Sequence, residues 1–120
     1  MEVKFYKNKE TNKVTLSLLG KQDPNEVELV ANSVDAAREK HVPVIEVNGK
    51  EVKVSVGSVL HPMLDVHYIE FIVLVTNQNA ILKRLEIGKD PVATFNLAEG
   101  EKVIEAYAYC NLHGLWVAKI

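Results

Sequence analysis

The chain has 120 residues, 48% of them apolar, with a net charge of −2 and a pI near 6.1. That length buries one core or two small ones, and the near-neutral charge excludes an electrostatic binder of nucleic acid or anionic membrane. No apolar run approaches the roughly 20 residues that span a bilayer, Phe71 to Val75 being a typical one, and Met1-Glu2-Val3-Lys4 has no signal-like apolar region. The single cysteine permits no internal disulfide and suits a reducing compartment, so the expectation is a cytoplasmic protein.

In chain order, Val3 to Tyr6, Val14 to Leu19 and Val27 to Val30 read as three short strands of a small N-terminal arm, with Lys21 to Asn25 as a loop. Residues 1–32 are too few to fold alone, so the arm is expected to pack on the rest of the chain or on another subunit. Ser33 to Lys40 reads as a turn or two of helix, opened by a capping Ser and an early Asp and stopped ahead of Pro43. Strands are then expected at Val42–Val47, Glu51–Val56, Ile69–Thr76, Ala80–Ile87, Val92–Leu97, Val103–Tyr109 and Leu115–Ile120. Glu51 to Val56 alternates strictly, and Asn48-Gly49 before it signals a hairpin whose two central residues take positive φ. About seven short strands at this spacing predict an all-β antiparallel sandwich from residue 33 onward.

All four histidines and the cysteine fall in three short clusters: Glu39-Lys40-His41-Val42-Pro43, His61 to Tyr68, and Cys110-Asn111-Leu112-His113-Gly114. Imidazole and thiolate are strong ligands for first-row metals. Pro62 excludes a helical His pair and favours a loop, and Cys110 and His113 form a turn closed by Gly114, so every cluster lies on a strand end or loop. Each histidine alone reads more simply as structural, and the lone cysteine as a small buried hydrophobe. That no His or Cys falls elsewhere argues for one shared site. Tyr68, Tyr107, Tyr109 and Trp116 read as core, Met63 as loop packing rather than a thioether ligand, and Glu39-Lys40, by composition, as a solvated helix end.

Five donors exceed a closed tetrahedral zinc site, and His113 is followed by Gly114-Leu115-Trp116-Val117, without the axial sulfur of a blue-copper pattern. The remaining fit is a mononuclear non-haem iron with four His and one Cys ligands and one open position, the thiolate pushing electron density onto whatever binds there.

The strings Glu-Lys-His-Val-Pro at 39–43, His-Pro-Met-x-x-x-His-Tyr-Ile at 61–69 and Cys-Asn-x-His-Gly-x-Trp at 110–116 strongly resemble the superoxide reductases, also called neelaredoxins and desulfoferrodoxins. The resemblance runs from about residue 33 to the C-terminus. It implies an immunoglobulin-like sandwich at 33–120 with one iron per chain: His41, His61, His67 and His113 as equatorial ligands, Cys110 as the axial thiolate, Glu39 as the carboxylate that closes the sixth position of ferric iron, and Lys40 as the cation beside the open face. The implied activity is one-electron reduction of superoxide to hydrogen peroxide, with electrons from a rubredoxin-like protein. Two-iron relatives carry a four-cysteine N-terminal domain. Residues 1–32 have no cysteine, and Asn8 stands where a ligand would, so the arm resembles a metal-free relic of a desulforedoxin-like domain, kept for folding or for a homodimer or tetramer interface. The competing reading is an electron carrier on the same sandwich with its metal shielded from substrate; a third is a metal that only staples the loops.

Overall fold

The computed structural model of the chain describes residues 2–120. Two compact units divide it, one ending at Val30 and the other running from Ala31 to Ile120. In the first, β1 (Lys4–Asn8) lies between β2 (Val14–Ser17) and β3 (Glu26–Leu29) in an antiparallel sheet. The strand expected over Val14–Leu19 stops at Ser17, and Leu18 and Leu19 are exposed. The β1–β2 turn is held by Asn8, whose Oδ1 accepts the amides of Glu10 (2.9 Å) and Thr11 (3.0 Å).

The second unit opens with a helix much shorter than expected: α1 covers Arg38–His41 alone. Ala37, not Ser33, stands at the helix start, without a side-chain cap. The reason lies upstream. Asn32 takes a left-handed φ of 61°, donates its amide to Leu115 O (2.9 Å), donates Nδ2 to Val117 O (3.1 Å) and accepts Val117 N–H at Oδ1 (2.9 Å). Those bonds lay the chain along a strand edge, so it can coil only after it leaves that edge. Pro43 ends the coil by forcing Val42 into extended backbone, φ −71° and ψ 123°. His41 therefore belongs to the helical turn, not to the strand head.

Seven strands follow: β4 (Pro43–Asn48), β5 (Glu51–Val56), β6 (Ile69–Thr76), β7 (Ala80–Arg84), β8 (Val92–Asn96), β9 (Val103–Cys110) and β10 (Gly114–Lys119). They form two antiparallel sheets, β10-β9-β6-β7 and β4-β5-β8, the architecture of an immunoglobulin-like sandwich. The β4–β5 hairpin differs in its turn. Asn48 pairs with Glu51, so the loop residues are Gly49 and Lys50, and only Gly49 has positive φ (64°). A glycine at the first central position makes a type II′ turn rather than the expected Asn-Gly form.

The alternation of β5 puts Val52, Val54 and Val56 inward, fully buried against Ile72 and Leu74 of β6, Ala93 and Phe95 of β8, and Ala106 and Ala108 of β9. Small alanines on β9 opposite large residues on its neighbours let the two sheets interdigitate. Pairing register then decides what meets at one end. Pro43 lies opposite Val56, Ile69 opposite Cys110, and Cys110 opposite Gly114. The start of β4, the end of β5, the start of β6 and the β9–β10 turn therefore share that end, and the β5–β6 connection passes from one sheet to the other across it.

Candidate metal centre

All three sequence clusters meet at this end of the sandwich. His41 comes from α1 on the three-stranded side, His61 and His67 from the β5–β6 connection, and Cys110 and His113 from the β9–β10 turn of the four-stranded sheet. One ligand atom from each of His41, His61, His67 and Cys110 lies within 4.8 Å of all the others. His113 joins them, its Nδ1 standing 3.1 Å from His41 Nε2 and 3.9 Å from Cys110 Sγ. His61 Nε2 approaches the same sulfur at 3.4 Å.

Local structure orients each donor. His41 Nδ1–H donates to Ala37 O at 2.6 Å and His61 Nδ1–H to Pro62 O at 2.7 Å, which leaves both Nε2 atoms as acceptors aimed inward. His67 is pinned by a two-residue bridge with Leu64, each amide donating to the other's carbonyl (2.9 and 3.0 Å). Cys110 and His113 are brought back on themselves by a three-residue loop whose closing residue, Gly114, has φ +78°. Trp116 backs two of the donors. Its ring lies 4.9 Å from that of His41, tilted by 32°, and its Nε1–H donates to His113 O at 3.0 Å. It is buried core as expected, yet its position also orients the site. Met63 is packing: its buried sulfur accepts Ile69 N–H at 3.3 Å inside the core cluster.

The electrostatics suit a cation. Burial lowers the pKa of His41 and of His67, and lowers that of His61 to about 4, so these imidazoles are neutral near pH 7, the form that can ligate a metal. Burial pushes the Cys110 thiol up, opposed by the amides of Leu112 and His113. A thiolate in so dry a place needs a positive partner. One further feature says the same. His67 Nε2 is buried with no hydrogen-bond partner. An inward-facing ring nitrogen without a partner is stable around a metal ion and costly without one. The donor set fits iron: one soft thiolate, borderline imidazoles and a fifth donor beyond the four of a closed tetrahedron.

Glu39 and Lys40 are exposed on α1. The Lys40 ammonium pulls the pKa of His41 and His67 down, and the Glu39 carboxylate pulls that of His41 up, so both charges are felt at the cluster. The placement of α1 depends on a residue that motif reading passed over. A Cβ on Gly57 would stand 2.6 Å from Glu39 O, 3.0 Å from Val42 O and 3.1 Å from the Lys40 carbonyl carbon. The loop beyond it binds the same turn, Val59 N–H donating to Glu39 O at 3.0 Å and Ser58 Oγ–H at 3.3 Å. Nothing in the local sequence marks this glycine, because its neighbour is a helix 16 or more residues away in the chain.

The chain belongs to the desulfoferrodoxin family, whose family model matches residues 33–119. A desulfoferrodoxin from Clostridium acetobutylicum is 50% identical over 93 residues, covering 77% of this chain and 71% of that protein. The crystal structure of the superoxide reductase from Treponema pallidum superposes with a TM-score of 0.85 at 40% identity, covering 99% of this chain and all of that one. A one-iron superoxide reductase from Giardia intestinalis gives a TM-score of 0.57 at 33% identity, covering 68% of this chain and 97% of that one.

Proposed function

We propose that the chain is a superoxide reductase, a reading carried by the convergence of every imidazole and the only thiol on one buried point. His41, His61, His67, His113 and Cys110 would hold a single iron. When bound, the iron supplies the one electron that, with two protons, converts superoxide to hydrogen peroxide. The chain's own residues do the rest. Lys40 would draw the anion toward the site by its charge and donate a hydrogen bond to the reduced oxygen species. Glu39 would offer its carboxylate to the oxidised iron between turnovers. The hydrogen bonds to Ala37 O and Pro62 O keep His41 and His61 in the ligating tautomer.

The electron donor is a separate protein of the rubredoxin type, a reading that rests on the family resemblance. The arm over residues 1–32 is a metal-free remnant of a desulforedoxin-like domain. Asn8, at the position of a ligand thiolate, uses its carboxamide oxygen to close a turn instead. Its place is at a homodimer interface.

The test is elemental analysis followed by pulse radiolysis of the reduced protein, with azide added to the oxidised form. About one iron per chain, second-order decay of superoxide, one peroxide per superoxide and no dioxygen are expected. Zinc as the dominant metal, with no activity on iron loading, would refute the iron reading. An iron site that rejects azide and does not consume superoxide would leave an electron carrier.

A further inference from the structure

One side chain joins two of the ligand-bearing loops. Asn111 lies between Cys110 and His113, and its backbone amide, Oδ1 and Nδ2 all reach the other loop. Its amide donates to Tyr68 O at 3.2 Å, its Oδ1 accepts Tyr68 N–H at 2.9 Å, and its Nδ2 donates to Val66 O at 3.1 Å. Val66 and Tyr68 are the two neighbours of His67. The carboxamide thus extends the β6–β9 pairing by one step beyond Ile69–Cys110, where the register shifts, and grips the backbone on both sides of a ligand. The rings of His41 and His61 are oriented by their own Nδ1–H bonds, whereas the placement of His67 comes through its backbone.

We propose that Asn111 is the positioning residue for His67, and that it makes the thiolate turn and the His67 loop move as one body. This rests on the reading of the cluster as an iron site. The molecule carries a matched comparison at the far end of the same strand pair. Asn77 donates its amide to Lys102 O (3.0 Å), accepts Lys102 N–H at Oδ1 (2.8 Å) and donates Nδ2 to Gly100 O (3.1 Å). It is the same clamp, flanking Glu101 instead of a ligand.

The experiment follows iron loss from the holoprotein to a chelator, with the ferric visible spectrum and the melting temperature, in Asn111→Ala, Asn77→Ala, His67→Ala and the Asn111→Ala/His67→Ala double variant. Orienting partners of metal ligands are worth 10–100-fold in affinity or activity. Asn111→Ala should speed iron loss about tenfold and shift the ferric spectrum. Asn77→Ala should lower the melting temperature comparably and leave iron loss and spectrum unchanged. In the His67→Ala background, Asn111→Ala should add little, because its effect passes through His67. Equal acceleration with and without His67, or equal acceleration by Asn77→Ala, would overturn the assignment. Should Asn111→Ala not fold, Asn111→Asp keeps the acceptor for Tyr68 N–H, loses the donor to Val66 O, and should still speed loss several-fold; a wild-type rate in that variant would also overturn it. A wild-type site that retains zinc rather than iron refutes the iron reading alone, since the same loss assay then runs on zinc. A site that retains no metal refutes both.

Discussion

Replacing Gly57 by alanine should destabilise the fold and disturb the metal site together. An ordinary carbon–oxygen approach is about 3.3 Å or more, whereas the new Cβ would stand 2.6 Å from Glu39 O, an overlap of about 0.7 Å. The two next contacts, Val42 O at 3.0 Å and the Lys40 carbonyl carbon at 3.1 Å, are also backbone, so no flexible side-chain end can swing away. The turn they belong to is tied by Val42 N–H to Arg38 O (2.9 Å) and by Val59 N–H to Glu39 O (3.0 Å). Overpacking of this kind costs about 1–3 kcal/mol, and losing the Val59 bond adds about 1 kcal/mol. A loss of about 2–4 kcal/mol lowers the melting temperature of a domain this size by about 10–25 °C. Because the atoms that must move belong to Glu39, Lys40 and the segment leading to His41, the ferric spectrum and the rate with superoxide should change as well. Gly49→Ala is the comparison. Gly49 has φ +64° and nothing within 4 Å of a new Cβ, so alanine there meets backbone strain of about 1–2 kcal/mol and should leave the site untouched. Thermal melts and stopped-flow or pulse-radiolysis rates on both variants check this. A Gly57→Ala protein with wild-type melting temperature and spectrum would refute the close approach between this loop and α1.

Three further outcomes follow from the same geometry. Lys40→Ala should slow the second-order reaction with superoxide about tenfold, or about 1.4 kcal/mol, and flatten its salt dependence, while Glu39→Ala should leave that rate nearly unchanged and alter the ferric spectrum; pulse radiolysis across ionic strengths separates the two, and an unchanged salt slope in Lys40→Ala would return it to a solvated helix end. Cys110→Ser should remove both activity and the thiolate-to-ferric charge-transfer band, since a serine oxygen is a harder and weaker donor; a variant keeping both would exclude Cys110 as the axial ligand. Glu101 is buried, and its carboxylate accepts Thr76 Oγ1–H (2.6 Å), Ala98 N–H (2.8 Å) and Asn79 Nδ2–H (2.9 Å), which together hold its pKa below the ordinary carboxylate value. A depressed folded pKa contributes stability that is full above the unfolded value and lost as pH falls through the folded one; Glu101→Gln should therefore flatten the acid side of the urea midpoint measured between about pH 7 and pH 3, and an unchanged acid slope would exclude Glu101 as its source.

The sequence alone determined the strands, because alternation and turn residues are local: Glu51–Val56 and Ile69–Thr76 were legible to the residue. It also singled out the candidate donor set, because imidazole and thiolate are scarce and their clustering is visible in one dimension. It misplaced what depends on distant partners. Ser33 looks like a helix cap, but Asn32 is bound to Leu115 and Val117 on β10, and that long-range pairing overrides a weak local preference for helix. Asn48-Gly49 signals a turn correctly, but the Asn48–Glu51 register decided which residues turn. Only the tertiary structure made Gly57 a contact of α1, put Trp116 behind both His41 and His113, and set the two amide bonds of Asn111 on either side of His67. Those roles arise where segments far apart in the chain meet, and short-range pattern carries no record of that meeting. Ligand identity is a property of side-chain chemistry and can be read along the chain; ligand placement is a property of packing and exists only once the two sheets have closed.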